Sequence, residues 1–268
     1  MKDIEIVIPV HTTRHHMLMD CVRNVRETTG TEPVVWESAG NVAVARNEAL
    51  DQVDSEWICF LDTDAFPQEQ DWHRTLLEAA RNSGALIANP FEVFDFGTHL
   101  ETRERGESKV IRMPDNCGGF CLLVNRSCCS TRFDENIGYE SDFLGPCLED
   151  TEFAKSVAGE GGKMLLDTSV TVLHRDRGVA DMQEFFLSHE GFCYTVIGDL
   201  INFKHRLGNR DLFKGIGKVP GVGRYLAEGY GRDELLECFA PVIENLPEKM
   251  RSPVQRHIEL ISSSHFRQ

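Results

Sequence analysis

Five mostly apolar residues, Trp57-Ile58-Cys59-Phe60-Leu61, run directly into Asp62-Thr63-Asp64. A short apolar run rich in β-branched and aromatic residues reads as a buried strand of a parallel sheet. Open α/β sheets place their ligands at the C-terminal edge of such strands, so the two carboxylates fall where chemistry is expected. In extended chain, residues two apart point the same way, and Asp62 and Asp64 can converge on one hard cation. Mg²⁺ or Mn²⁺, held by one or two carboxylates and completed by phosphate oxygens, suits that arrangement. A structural use fits the pair alone equally well: Asp62 ends the strand and Asp64 caps the next helix.

The surrounding order narrows the choice. Ile4–Val10 reads as a first strand, followed by a polar loop at 11–16 and a helix to about Arg26. Pro33–Glu37 is a second strand, and Gly40-Asn41 turns into a helix over 42–52. After the two aspartates come an amphipathic helix from Gln70 to about Asn82 and a strand at Ala85–Ala88. Residues 98–108 are polar and without period, which reads as a loop. Cys121–Val124, Met164–Leu166 and Val170–Leu173 are further strands, and a helix opens near Glu149 and runs to about Ala158. Strands alternating with helices predict a doubly wound, mostly parallel sheet over residues 1–180. From Asp181 the pattern turns helical, predicting a smaller all-α region over 181–268, broken by glycines at 215–223.

Composition limits the class. The chain has 268 residues, 41% hydrophobic and 26% charged, enough for one large core or a large domain plus a small one. No apolar run approaches the roughly 18 residues of a membrane span. The start, Met1-Lys2-Asp3-Ile4-Glu5, lacks a signal-peptide pattern. Nine cysteines without scaffold spacing point to reduced thiols in the cytoplasm. Cys117, Cys121 and the Cys128-Cys129 pair do not match a zinc spacing and read as small buried hydrophobes. The net charge of −15 opposes indiscriminate binding to phosphate backbones. It is uneven, however: residues 201–224 hold six Lys/Arg against one acid, Asp211, a local surplus of five that leaves the rest at −20.

Taken in order, a proline-ended first strand, Ala45-Arg46-Asn47, Asp62-Thr63-Asp64, Gly118-Gly119-Phe120, Phe133-Asp134-Glu135, Glu149-Asp150 and a strand ending in His174 resemble nucleotide-sugar glycosyltransferases of the GT-A, Rossmann-like fold. The likeness is greatest to the family 2 type and spans about residues 4–176. The resemblance implies that Asp64 and His174 hold a divalent metal, with Asp62 on metal or ribose. It places Pro9, Val10, Glu37, Asn41 and Arg46 around base and ribose, although Glu37 stands where many relatives carry aspartate. Gly118 and Gly119 would let backbone approach the sugar. Asp150 would be the general base of an inverting transfer, with Glu149 as its fallback; capping of the helix is the plainer use of Asp150. The implied donor is a nucleotide-sugar, UDP-sugar first, and the implied metal Mn²⁺ or Mg²⁺.

Lys218-Val219-Pro220-Gly221-Val222-Gly223-Arg224 resembles the hairpin of helix-hairpin-helix modules, which grip a DNA phosphate through helix N–H groups. Lys218, Gly221, Gly223 and Arg224 are its candidate DNA contacts, and an ordinary glycine-rich loop is the alternative. With the local positive surplus, this points to an acceptor hydroxyl on a hydroxymethylated pyrimidine in DNA, of the kind some viruses glycosylate. Transfer to a surface glycan or lipid-linked sugar, and a non-catalytic nucleotide- or DNA-binding protein, are the competing readings. A nucleotidyltransferase would carry a glycine-rich basic signature after the first strand, which this sequence lacks.

Overall fold

The computed structural model describes residues 2–11, 15, 17–102, 104–112, 114, 117–128, 130–135 and 148–175, with 240, 244, 248, 251, 252 and 255 of the C-terminal region. In chain order the elements are β1 (Lys2–His11), α1 (Leu18–Thr29), β2 (Val34–Ser38), α2 (Val42–Gln52), β3 (Ser55–Leu61), β4 (Ala65–Pro67), α3 (Trp72–Ser83), β5 (Ile87–Asp95), β6 (Leu100–Thr102), β7 (Lys109–Ile111), β8 (Cys121–Asn125), α4 (Glu149–Gly159) and β9 (Met164–Arg175). Met1–Phe133 and Glu149–Asp181 belong to one compact unit.

One sheet runs β2-β1-β3-β8-β5-β9-β4, with β6 added to β5 and β7 to β9. The ladders of β1 with β2, β1 with β3, and β5 with β9 are parallel. Strand β8 is inserted antiparallel between β3 and β5. The two-residue alternation of each central strand sorts its side chains onto two cores. Ile6, Ile8, Val10, Trp57, Cys59, Leu61, Cys121 and Leu123 pack with α1 and α3. Val7, Ile58, Phe60, Leu122 and Val124 face the opposite way, toward α2 and α4. Both sheet faces are therefore covered by helices: this is the doubly wound arrangement predicted from the alternation of elements, and it has the GT-A-like form that the resemblance implies.

The helices follow from spacing and caps. In α1 the buried residues Leu18, Cys21, Val22 and Val25 recur at helical intervals on one stripe. In α3 the stripe is Trp72, Leu76, Leu77 and Ala80, and the Trp72 indole N–H donates to Thr28 Oγ1 at 3.1 Å, tying the two helices together. Gly30 and Gly84 end these helices at φ 66° and 65°, the left-handed conformation that costs glycine little. Asn41 starts α2, its Oδ1 accepting the Val44 N–H at 3.0 Å.

Three details differ from the sequence expectation. The strand candidates at 164–166 and 170–173 are one strand, β9. The polar Asp167-Thr168-Ser169 between them forms a register shift against Pro90 and Phe91 of β5. There Asp167 Oδ1 accepts from the Ser169 N–H at 2.9 Å and hydroxyl at 2.7 Å, which holds the displaced residues without ending the strand, while Asp167 Oδ2 is buried with no hydrogen-bond partner among the described residues. Second, residues 98–108 include β6, paired to β5 from Val93 to Asp95. Arg105 further fastens this stretch to β9 by donating to Thr168 O and Thr171 Oγ1. Third, the short strand β4 lies just after the paired aspartates, with no apolar period long enough to announce it. Residues 181–239 of the expected all-α region, with the hairpin at 218–224, lie outside the described residues.

Candidate active site

The parallel ladder of β1, β2 and β3 brings three strand ends to one edge. Pro9 pairs with Trp36 and Val10 with Glu37. The Val10 side chain is buried with α1, so at that position only backbone is available to a ligand, whereas Glu37 is exposed. Asn41 has its Oδ1 on the α2 N-terminus. Beyond Leu61 the Asp62 N–H donates to Phe120 O at 2.9 Å and Asp62 O accepts from the Ala65 N–H at 3.1 Å. The chain turns tightly there and enters β4.

Arg46 of α2 organises the space behind Asp62. It is 1% exposed, yet its guanidinium reaches three groups from three elements. Nη1 donates to Glu149 Oε1 at the start of α4. Nη2 donates to Asp62 Oδ1 at 3.0 Å and to Gly119 O at 3.1 Å. The planar fork allows this multiple contact, which a lysine ammonium would not reproduce. Phe60 and Phe133 lie beneath it, with ring centroids 5.9 and 5.6 Å from the guanidinium carbon. The resemblance implies a place for Arg46 beside base and ribose; in the fold its guanidinium also ties two carboxylates. Nothing local in Ala45-Arg46-Asn47 announces that, because Glu149 is 103 positions away.

Asp150 stands next to that tie. Its Oδ1 accepts from the Thr151 N–H. Burial is the main influence on its carboxyl, and the adjacent Glu149 charge adds to it; Arg46 and the Thr151 N–H oppose them. The net result is a pKa pushed up to about 8. Asp62 is raised to about 6, by burial first, against the opposing pull of Arg46 and with Asp64 adding to the rise. Two carboxylates of one site thus have separated proton affinities, as acid–base chemistry near neutral pH requires.

The Gly118-Gly119 turn fits into this cluster. Asn89 of β5 accepts the Gly118 N–H at 3.0 Å and donates to Gly118 O and Cys121 O, both at 2.7 Å. Thr151 of α4 holds Cys117 through both its N–H and its carbonyl. A Cβ at Gly119 would sit 2.6 Å from Asp150 Oδ2 and 2.8 Å from Arg46 Nη2. Gly119→Ala is therefore expected to push the Asp150 carboxylate aside. With Asp150 in the general-base role that the resemblance implies, turnover should fall about 10²-fold, the cost of a small misplacement at a reacting centre. Steady-state rates set beside donor binding by calorimetry will show whether binding is spared. Cys21, Cys59, Cys117 and Cys121 around the site are free and buried, and burial pushes the thiols of Cys21, Cys117 and Cys121 well up.

Asp64 and His174 meet on the other side of Asp62. Strand β4 pairs antiparallel with β9, aligning Ala65 with His174, and the Arg175 N–H donates to Asp64 O at 2.9 Å. His174 Nε2 then lies 3.4 Å from Asp64 Oδ1. Neighbouring donors on a small octahedral cation, with bonds near 2.1 Å, stand about 3 Å apart, so this nitrogen–oxygen pair fits Mg²⁺ or Mn²⁺. The Phe120 ring stacks on the imidazole at 5.5 Å. Glu92 of β5, a residue the sequence pattern gave no reason to single out, contacts His174 Nδ1 at 2.6 Å. Among the described residues no three His, Cys, Asp or Glu side chains form a ready-made cage. Asp62 Oδ1 is turned to Arg46, so the predicted trio comes together as a contacting pair with Asp62 beside it. Lys218, Gly221, Gly223 and Arg224 lie outside the described residues.

Residues 34–133 match the family model described as glycosyl transferase family 2, a span from β2 to Phe133 that includes Asp62, Asp64, Gly118 and Gly119. No curated protein matches. Among solved structures, residues 1–349 of TarS from S. aureus align over 100% of this chain and 89% of that one, with TM-score 0.52 and 10% identity, a likeness of fold. GalNAc-T7, solved with UDP, GalNAc and Mn²⁺, aligns over 89% of this chain at TM-score 0.49 and 12% identity; this chain covers 54% of that one. The A197 protein from STIV aligns over 65% of this chain and 85% of that one, at TM-score 0.43 and 22% identity.

Proposed function

We propose that this chain is a glycosyltransferase that moves a hexosyl or N-acetylhexosaminyl unit from a nucleoside-diphosphate sugar, UDP-sugar first, to an acceptor hydroxyl. The observation that carries the reading is the convergence of the Asp64–His174 pair and the Arg46-linked Asp62, Glu149 and Asp150 at one edge of a GT-A-like sheet. The family 2 match over the donor-side motifs supports it.

In this reading Asp64 and His174 would hold a divalent cation, with Asp62 completing the set or meeting the ribose. Such a cation acts as a Lewis acid for the negative charge that develops on the departing diphosphate. Asp150 takes the proton of the acceptor hydroxyl as its oxygen bonds to the anomeric carbon and the carbon–diphosphate bond breaks, inverting the configuration. Glu149 remains committed to Arg46, which leaves Asp150 the better placed of the two. Pro9 and Val10 present backbone, and Glu37 a carboxylate, where the base and ribose would lie. Gly118 and Gly119 keep the surface beside the sugar free of side chains.

A thermal-shift panel of UDP-, GDP- and dTDP-sugars, each with Mn²⁺ or EDTA, tests the donor assignment. One nucleotide-sugar should raise the melting point in the presence of metal, by about 3 kcal/mol of linkage at a hundredfold excess over Kd, and lose that effect in EDTA. Indifference to every donor with metal present would overturn the reading. Asp64→Ala should abolish the metal-dependent part of the shift.

For the acceptor, the observation in favour of DNA is the basic surplus over residues 201–224 in an otherwise acidic chain. Duplex or single-stranded DNA carrying hydroxymethylated pyrimidines should shift in a gel at low salt and be released steeply as salt rises. The target base would have to leave the stack to reach the site. Absence of any shift would exclude the DNA acceptor and favour a glycan hydroxyl. Among the described residues no helix is long and apolar enough to cross a membrane.

A further inference from the structure

We propose that Glu92 is a positioning residue for His174, fixing its ring so that Nε2 presents a lone pair beside Asp64. The inference rests on the metal assignment just made and adds to it a residue on a different strand. Strands β5 and β9 are parallel, with Glu92 aligned to Val172 and Phe94 to His174. Residues in register on neighbouring strands share a face, and so do residues two apart on one strand. Glu92, Phe94, Val172 and His174 are therefore on one side of the sheet, and Glu92 reaches the imidazole on the diagonal.

The contact, His174 Nδ1 to Glu92 Oε1 at 2.6 Å, has the short length of a charge-assisted hydrogen bond. It is shielded, with the two side chains 14% and 21% exposed. A carboxylate oxygen accepts, so this contact favours the ring form in which Nδ1–H is the donor. The other ring nitrogen, Nε2, is the atom 3.4 Å from Asp64 Oδ1, and with the proton held on Nδ1 it is Nε2 that would turn its lone pair to a cation beside Asp64. Phe120 stacked at 5.5 Å and Phe94 tilted at 6.4 Å restrict the ring from either side. A carboxylate on one imidazole nitrogen makes the other both better aimed and more basic toward a cation.

Placement of Glu92 depends on the register shift between Pro90 and Phe91. Before the shift Pro90 aligns with Asp167; after it Phe91 aligns with Thr171, so Thr168, Ser169 and Val170 are looped out of the ladder. Without that offset Glu92 would lie beside Ser169, five residues short of His174. Arg105, which holds Thr168 O and Thr171 Oγ1 and lies over the Phe91 ring at 5.0 Å, braces the same shift.

The test compares Glu92→Ala, Glu92→Gln and His174→Ala in the full chain. Mn²⁺ binding is read by calorimetry without donor, and the His174 tautomer by nitrogen NMR of the metal-free protein. Glu92→Ala should weaken Mn²⁺ binding 10- to 100-fold and shift the ring population away from the Nδ1–H tautomer. Glu92→Gln, whose amide oxygen can still accept from Nδ1–H, should stay within a few-fold of the parent. If Glu92→Ala does not fold, Glu92→Leu, closer to the native volume, replaces it with the same expectation. Parental affinity and an unchanged tautomer in the alanine or leucine variant, alongside weakened binding in His174→Ala, would overturn the role of Glu92 alone. Parental affinity in His174→Ala as well would overturn the metal assignment on which it rests.

Discussion

Asp150→Asn is expected to reduce sugar transfer by 10²- to 10⁴-fold, the range a positioned general base contributes, while donor binding stays close to parental. The amide keeps the shape of the carboxylate and can still accept the Thr151 N–H, but it cannot take the acceptor's proton. Single-turnover assays with saturating nucleotide-sugar separate the two effects. Turnover within a few-fold of the parent would remove Asp150 from the mechanism. With Asp150 as the base, the wild-type rate should climb with pH, reach half its plateau near 8 and level off above it, because only the ionised carboxylate can act and its pKa is pushed up to about 8. That rising limb should vanish in the variant's residual activity.

The same shift has a stability consequence with a definite sign. An aspartate whose folded pKa is raised binds a proton in the folded chain at pH values where the unfolded chain has lost it. Its stabilising contribution is full below the ordinary carboxylate range, near pH 4, and is lost as pH rises through about 8. Asp150→Asn removes that loss. The variant should melt higher than the parent at pH 8 and differ least near pH 4, as is common when a strained catalytic group is replaced.

The largest effect on stability is expected from Arg46→Met. Arg46 and Glu149 have side chains 1% and 2% exposed, and Glu149 Oε2 is buried with no hydrogen-bond partner among the described residues. Removing the guanidinium would leave Glu149 without its countercharge and Asp62 without its tie. Breaking one side of a buried ion pair costs about 3–5 kcal/mol, a large part of a typical domain's stability. Urea denaturation should show the loss as a lower midpoint. The double variant Arg46→Met with Glu149→Gln should recover much of it, since no isolated buried charge remains. A single variant within about 1 kcal/mol of the parent would mean that the pair is not the tie described here.

The metal and donor experiments meet these predictions at Asp62. Arg46 holds Asp62 Oδ1 at 3.0 Å and Glu149 with the same guanidinium. Asp62 and the helix that carries Asp150 are thereby joined through one rigid group. Loss of Arg46 is expected to weaken donor binding as well as transfer, whereas loss of Asp150 should affect transfer alone. That contrast can be read from the same binding and rate measurements.

What the sequence determined by itself was whatever local chemistry dictates. The apolar run 57–61, buried on both faces, specified a central strand, and the period of α1 and α3 specified which stripe would face the sheet. Asn41 marked a helix start because capping demands particular residues. The order of short motifs was enough to indicate the GT-A-like sheet and to single out Asp62, Asp64, Glu149, Asp150 and His174. Tertiary structure alone decided who meets whom. Arg46 acquires its role from Asp62 and Glu149, Glu92 from a register shift on a strand 82 positions from His174, and Asn89 from a turn 29 positions downstream. The proton affinity of Asp150 belongs to the same class, since burial and a neighbouring charge are properties of the packed chain. Sequence spacing fixes directions along one element, but contacts between elements depend on how strands register and helices pack, and no local pattern contains that information.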